Sequence, residues 1–322
     1  MIVYRSYDLL CILPTNNISE ENDQPAIILH SKLRYKHIHY IIMKKIIYYL
    51  LLLPVAGFSQ NTHIGFRFGL ANYQGDLQER RFTFKQAEMV GSIGARYDLS
   101  EHFTGRGFIS YGTIKAADAE NKSTSLQQRN LSFESRIKEL ELSMQYNIFS
   151  LNDQWWTPYA FAGVAFFNFK PYAYDNNGTK TFLQPLSTEG QGFIAGRKEY
   201  KRTVITIPFG IGAEYALNED MRVGLELGYR RTFTDYIDDV STTYVDQAQL
   251  QAARGSTAVQ MAYRGNGTYP AGGSLRGNED NKDGYYFVQL TFTIRPYVDW
   301  YKRTSGISSF KKQKRVGCPG SQ

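Results

Sequence analysis

Cysteine is nearly missing from this 322-residue chain, which holds only Cys11 and Cys318. One thiol near each end gives no framework of disulfides to staple a fold. Histidine is scarce as well. Of five, His30, His37 and His39 precede residue 43, which leaves His63 and His102. With one downstream Cys and no His cluster, a zinc site has no ligands to build it. No stretch after residue 60 is long and apolar enough for a membrane-spanning helix, which needs roughly 20 residues. The formal charge of +7 gathers partly at the two ends of the chain, so it makes no case for a nucleic-acid partner.

What is present begins with an export signal. Met43-Lys44-Lys45 is a short basic segment, and Ile46 to Leu53 is an apolar run. Pro54 follows, and Gly57-Phe58-Ser59 sets small residues at −3 and −1 before Gln60. This is a secretory signal over 43–59, with cleavage expected between Ser59 and Gln60. No Cys follows the cleavage point for lipid attachment. Such a signal has to be N-terminal, so residues 1–42 read as an upstream extension from an early start codon. The other reading is a disordered arm ahead of a membrane anchor.

From residue 60 onward the apolar residues recur with period two, the period of a strand. In Lys138 to Ile148, one face carries Leu140, Leu142, Met144, Tyr146 and Ile148, and the other Glu139, Glu141, Ser143, Gln145 and Asn147. Met221 to Arg231 and Tyr285 to Ile294 repeat the pattern. Eight strands are predicted, at 63–73, 87–99, 102–114, 133–148, 157–170, 200–216, 221–236 and 285–297.

The connections alternate. Those at 100–101, 149–156 and 217–220 are short, and those at 74–86, 115–132, 171–199 and 237–284 are long. This is the pattern of an outer-membrane barrel with short periplasmic turns and long extracellular loops. The expected fold is therefore all-β: an eight-stranded antiparallel up-and-down transmembrane barrel over 60–298, with both termini in the periplasm. A barrel of this size has a lumen filled by side chains. Outer-membrane lipid is the expected surrounding.

In such a barrel the polar faces turn inward. Arg67, Glu88, Arg96, Arg106, Glu139, Glu141, Glu214, Arg222, Glu226 and Arg230 all fall on the face opposite the apolar one, with both signs available for pairing in the lumen. Tyr97, Tyr146, Trp155, Trp156, Tyr215, Tyr297 and Trp300 gather at the short-turn ends, where an interfacial aromatic girdle belongs. Pro208 cannot donate to a ladder, so a bulge or irregular pairing is expected there.

The run Gly65-Phe66-Arg67-Phe68-Gly69-Leu70-Ala71-Asn72-Tyr73-Gln74-Gly75-Asp76-Leu77 resembles the opening strand of a Bacteroidota outer-membrane β-barrel family of largely undefined function. Ile207-Pro208-Phe209-Gly210-Ile211-Gly212-Ala213-Glu214-Tyr215 resembles its sixth strand. The family is similar to PorG, an accessory protein of the type IX secretion system. The resemblance implies a non-enzymatic structural or accessory barrel with no cofactor, and a role in protein secretion.

Three other segments bear on function. Asn278 to Gly284 is acidic but fails the spacing of a calcium loop, because Leu290 occupies the closing Glu position. It reads as an exposed turn. Within 237–284, Gln247 to Arg254 is predicted as a short helix in a loop that either docks a partner or is disordered. The tail 299–322 is basic through Lys302, Arg303, Lys311, Lys312, Lys314 and Arg315. It reaches periplasmic or outer-membrane proteins, or is simply solvated. Surface adhesion through the long loops is the alternative function. An outer-membrane enzyme or small channel is the least favoured reading, because the predicted outer loops carry no histidine.

Overall fold

The computed structural model describes residues 61–295 apart from Arg81 and Asn176. The signal segment with Ser59 and Gln60, the girdle candidates Tyr297 and Trp300, and the basic tail lie outside the described residues.

Ten strands run through this region: β1 (Thr62–Gln74), β2 (Glu88–Asp98), β3 (Phe103–Ala117), β4 (Ser132–Asn147), β5 (Trp156–Asn168), β6 (Pro171–Tyr174), β7 (Lys180–Phe182), β8 (Thr203–Ala216), β9 (Met221–Thr232) and β10 (Gly284–Ile294). Eight of them close a ring in the order β1-β2-β3-β4-β5-β8-β9-β10, with every pair antiparallel, and β10 returns to β1. Closure leaves no edge strand, which is what a β-structure in hydrocarbon requires. The fold is the eight-stranded antiparallel barrel read from the alternation. The remaining two strands are an addition: β6 and β7 form a hairpin on the far end of β4, through Glu134↔Tyr172 and Ser135↔Pro171.

Strand ends differ from expectation by a few residues, and two of the differences share a cause. β8 starts at Thr203 rather than 200, and β9 stops at Thr232 rather than 236. There the Tyr200 and Tyr236 rings stack at 4.8 Å, and Asp235 accepts a hydrogen bond from Ser241 Oγ at 2.7 Å. These contacts draw both segments out of the ladder. At Pro208 the pairing with β5 lapses between Ala162↔Phe209 and Ala165↔Thr206, while Pro208 still sits opposite Arg230 of β9. The register is unchanged across the gap, so the site is an interrupted ladder and not a bulge.

Burial along β4 fixes the polarity. Leu140, Leu142, Met144 and Tyr146 are 44%, 55%, 45% and 46% exposed, whereas Glu139, Glu141 and Gln145 are 1%, 0% and 0%. A soluble sheet would do the reverse. The outward apolar stretch, Leu140 to Ile148, has the length a tilted barrel strand needs to cross hydrocarbon, about 9–11 residues. Comparable belts face outward on the other strands, through Ile64, Phe66, Phe68 and Leu70 on β1, and Ile205, Ile207, Phe209 and Ile211 on β8.

Toward the long-loop end the polarity inverts again. On β4, Arg136 and Lys138 turn outward while Phe133 and Ile137 are buried within. These join Ile114 of β3, Phe167 of β5, Phe169, Phe287 of β10 and the loop residues Leu77, Leu183, Ile237 and Val240 in one apolar core. Fully burying such a side chain is worth roughly 1.5–3 kcal/mol, enough to fold the long loops onto the barrel mouth. Three short helices belong to this cap: α1 (Thr124–Arg129), α2 (Gln247–Arg254) and α3 (Ser256–Ala262). The predicted helix forms as α2, capped by Asp246, whose carboxylate accepts from the N–H groups of Ala248 and Gln249. Gly255 separates α2 from α3 at φ 84°, a conformation that favours glycine. Met261 of α3 belongs to the core.

Candidate functional site

The lumen is closed by side chains from all eight strands of the ring. Arg67 on β1 and Arg106 on β3 converge on Glu226 of β9, with Nη1–Oε1 at 2.8 Å and Nη1–Oε2 at 2.7 Å. Both also reach Glu141 of β4, at 3.1 and 3.0 Å. Arg230 lies 3.4 Å from Glu139 and 3.3 Å from Glu141. Arg96 of β2 grips Glu214 of β8 through two parallel bonds of 2.8 Å each. These four arginines face four glutamates, all almost completely buried, so the network is neutral as a set. Neutrality matters because an unpaired charge at this depth would carry a large desolvation cost.

Aromatic rings close the space between the charges. The Arg67 guanidinium carbon sits 3.6 Å from the centroid of Phe108, and that of Arg106 sits 4.2 Å from Phe161. The Arg230 guanidinium lies 4.0 Å from Phe287, and Tyr159 Oη donates to Glu226 at 3.0 Å. A void of about 10 Å³ bordered by Arg67, Arg106, Tyr159 and Glu226 holds about one water at most.

Two members of the expected network lie elsewhere. Glu88 is a correction: it is half-buried at the long-loop end of β2 and pairs with Lys115. Face parity puts it on the inner side, but its height along the barrel carries it past the lumen cluster. Arg222 belongs to a separate group at the short-turn end, where Nη2 lies 2.8 Å from Asp98, whose carboxylate also lies 3.6 Å from His63. His102 sits in the β2–β3 turn, with Nδ1 2.8 Å from the Asn147 carbonyl. Among the described residues no group of His, Cys, Asp or Glu is placed to hold a metal ion.

At the short-turn end Tyr97, Tyr146, Trp155, Trp156 and Tyr215 are 44%, 46%, 44%, 49% and 50% exposed on the outer face. The opposite rim carries aromatics that were not anticipated. Tyr111 of β3 is exposed there, and so are Phe82 and Phe84 of the first long loop. Thr83 donates its N–H to Tyr286 Oη at 2.8 Å, which folds that loop against the outside of β10. A Phe-Thr-Phe triplet in a loop was the available signal.

The cap has a polar core of its own that no periodicity announces. Arg276 is buried, donating from Nη1 to Glu189 at 2.9 Å and from Nε to the Ala262 carbonyl at 3.2 Å. Glu189 in turn accepts the N–H groups of Ser241 and Thr242, each at 2.9 Å, tying the loop before β8 to two distant parts of the loop before β10. Arg129 clasps Asp118 through two bonds of 2.7 Å.

Tyr73 Oη lies 2.6 Å from Asp238 Oδ2 and 2.7 Å from Asp283 Oδ1. A hydroxyl donates once, so the second contact is donated to the tyrosine oxygen by a protonated carboxyl. Burial pushes both aspartates well above the ordinary carboxylate range, with the Asp76 charge adding at Asp238 and the Asp238 charge adding at Asp283. Burial also raises Asp239 to about 6 and Asp235 to about 7. The run Asn278 to Gly284 is thus only partly the exposed turn expected of it, because Asp283 points into the cap.

A closed ring of eight antiparallel strands, apolar outside and ion-paired within, with short and long connections in alternation, defines an outer-membrane-type β-barrel. The chain belongs to the family described as a domain of unknown function, DUF6089, which matches residues 42–256 and so spans β1 to β9 and α2. None of the curated proteins matches it. Among solved structures it is similar to Neisserial surface protein A, with 10% identity over 72% of this chain and 96% of that one and a TM-score of 0.37. It is similar also to Ail, the attachment invasion locus protein of Yersinia pestis, with 8% identity over 74% and 100% of the two chains and a TM-score of 0.32. For the N-terminal β-barrel domain of Pseudomonas aeruginosa OprF the figures are 13% identity, 73% and 98% coverage, and 0.32. No role follows from likenesses at this level.

Proposed function

We propose that this protein is a non-catalytic structural barrel of the outer membrane that acts as an accessory to protein secretion. In this reading the signal at 43–59 delivers it, both termini stay in the periplasm, and the folded cap faces outward. The observation that carries the proposal is the lumen. A neutral network of arginines and glutamates fills it, and the loops form a packed core above it, which favours a rigid anchor over a conduit. Partners would then engage the cap, the turns and the basic tail at 299–322. The similarity of its sequence motifs to a family that resembles PorG supports secretion as the setting.

Crosslinking in intact cells followed by affinity isolation tests this. Periplasmic or outer-membrane partners captured by the full chain, and lost when residues 301–322 are removed, are the expected result. A barrel recovered alone from native membranes would defeat it. Sequencing of the mature N-terminus should begin at Gln60. Planar-bilayer conductance well above background would restore the channel reading.

Surface adhesion is the second reading, and the order of the cap favours it: the Arg276–Glu189 and Arg129–Asp118 pairs hold loops of this length in one arrangement. Deletion of 240–275 that leaves cell-surface binding unchanged would remove it.

A further inference from the structure

The outward face of β4 changes character between Leu140 and Lys138. Leu140 closes the apolar belt, and Lys138 and then Arg136 project from the same face, both exposed. Across the sheet Lys138 is level with Asn168 of β5, and Asn168 with Thr203 of β8. The polar edge therefore continues over three strands.

Lys170 follows β5, and its backbone N–H donates to Ser135 Oγ at 2.9 Å, which sets it beside Arg136. The β6–β7 hairpin adds a fourth cation. Lys180 Nζ lies 3.3 Å from the centroid of Tyr172, and Lys170 Nζ lies 4.1 Å from that of Phe182. Four exposed cations from three separate segments so meet on one patch.

Little neutralises them. Glu134, whose charge acts on Lys180, accepts a hydrogen bond from Tyr172 Oη at 2.7 Å. Asp175 is held by the N–H groups of Asn177 and Thr179, at 2.9 and 2.7 Å. None of the four cations has an ion-pair partner among the described residues. The Lys180 ammonium is shifted below its ordinary value, first by desolvation and then by the charges of Arg136 and Lys170, with Glu134 opposing. Beside the patch a cavity of about 270 Å³ opens, with Lys85, Lys115, Glu134, Tyr174 and Arg264 in its wall.

Lysines at a belt's edge reach for water in any membrane protein. That accounts for Lys138 alone. It does not account for Lys170 and Lys180, which come from outside the crossing strands and are drawn inward over aromatic rings. Uncompensated Lys and Arg at the height of the head groups attract anionic lipid, and Arg matches the geometry of phosphate oxygens.

We propose that Arg136, Lys138, Lys170 and Lys180 form a binding site for the phosphate of a lipid head group, in the leaflet at the long-loop end of the barrel. The proposal rests on the membrane placement given above and not on the secretion role.

The test uses the full chain, purified in a non-ionic detergent, with lipid A and dephosphorylated lipid A as probes and native mass spectrometry as the readout. Wild type should retain lipid A and release the dephosphorylated form. The variant Arg136→Gln, Lys138→Gln, Lys170→Gln, Lys180→Gln should retain lipid A at least about tenfold more weakly, as expected when several interfacial charges are lost together. Lys170→Gln with Lys180→Gln, which leaves the crossing strands untouched, should show a partial loss. A control pair away from the patch, Lys122→Gln with Lys198→Gln, should behave as wild type.

Heat-modifiable mobility on gels confirms that each variant is folded. Equal retention of the dephosphorylated lipid, undiminished retention by the four-fold variant, or displacement of lipid A by inorganic phosphate at equal concentration would overturn the proposal. Loss of the wild-type chain from carbonate-washed membranes would instead overturn the membrane placement.

Discussion

Arg106 and Glu226 face each other across the lumen with Nη1 and Oε2 2.7 Å apart, although 120 positions separate them in the chain. Glu226 also holds Arg67 and Tyr159, so three strands besides its own depend on it. Glu226→Ala should leave two buried arginines short of a partner and destabilise the barrel by about 3–5 kcal/mol. Urea titration in lipid vesicles reads this as a lower unfolding midpoint. The paired change Arg106→Met with Glu226→Leu removes one charge of each sign and keeps Arg67 on Glu141. It should lie closer to wild type than the single change does, and a double variant worse than Glu226→Ala would show that the network is not balanced pairwise.

Phe108 fits only because two glycines face each other beneath it. Gly65 and Gly94 are cross-strand partners, and a Cβ at either would come within 2.7 Å of the Phe108 ring. Gly210 and Gly228 do the same for Phe161, with Cβ positions 2.8 Å from that ring. These seats hold the rings on which Arg67 and Arg106 lie. Gly65→Ala should cost about 1–3 kcal/mol through overcrowding. Combined with Phe108→Leu the cost should shrink, since the neighbour that clashes is then smaller. A double-mutant cycle in chemical denaturation measures the coupling, and strict additivity would refute the seat.

The membrane-crossing half of the fold was written in single residues. Glu139, Leu140, Glu141 and Leu142 alternate without interruption, and each fell on the face its parity assigned. Parity does not report height, however, which is why Glu88 was placed with the lumen group and stands at the rim with Lys115. The second inversion is also written in the sequence. From Ile137 inward and Lys138 outward to Glu139 inward and Leu140 outward, the apolar phase slips by one position, and that slip marks where hydrocarbon ends. The cap left no such trace. Arg276 and Asp238 of the last long loop, Glu189 of the loop before β8 and Tyr73 at the end of β1 meet there, and no period in the chain relates them.

The same inversion predicts opposite tolerances on one face of one strand. Met144 lies near the middle of the β4 belt and is 45% exposed to what should be lipid. Met144→Arg should destabilise insertion by about 2–4 kcal/mol, the cost of a cation near the bilayer midplane. Arg136→Leu, on the same face beyond the belt, should stay within about 0.5 kcal/mol, as surface changes do. Folding yield into vesicles, scored by heat-modifiable mobility, separates the two, and equal penalties would place the bilayer elsewhere.

The cap should respond to pH in a direction fixed by its aspartates. Asp235, Asp238, Asp239 and Asp283 all have carboxyls raised by burial, Asp239 to about 6 and Asp235 to about 7. Between the unfolded value, 3.8, and these folded values the native cap holds protons that the open chain has lost. The native state binding more protons means that stability falls as pH rises through this window. Arg129, Arg276 and Lys282 oppose the effect by favouring the charged forms, with Asp76 and Glu189 acting the other way. Amide hydrogen exchange over 235–262, corrected for the intrinsic rate, should therefore show more opening at about pH 8 than at about pH 5. Asp235→Asn should flatten part of that difference, because a neutral side chain has no proton to lose, while the Met221 to Arg230 stretch of β9 should exchange alike at both pH values. Greater protection at the higher pH would mean that these carboxyls are held charged in the folded cap.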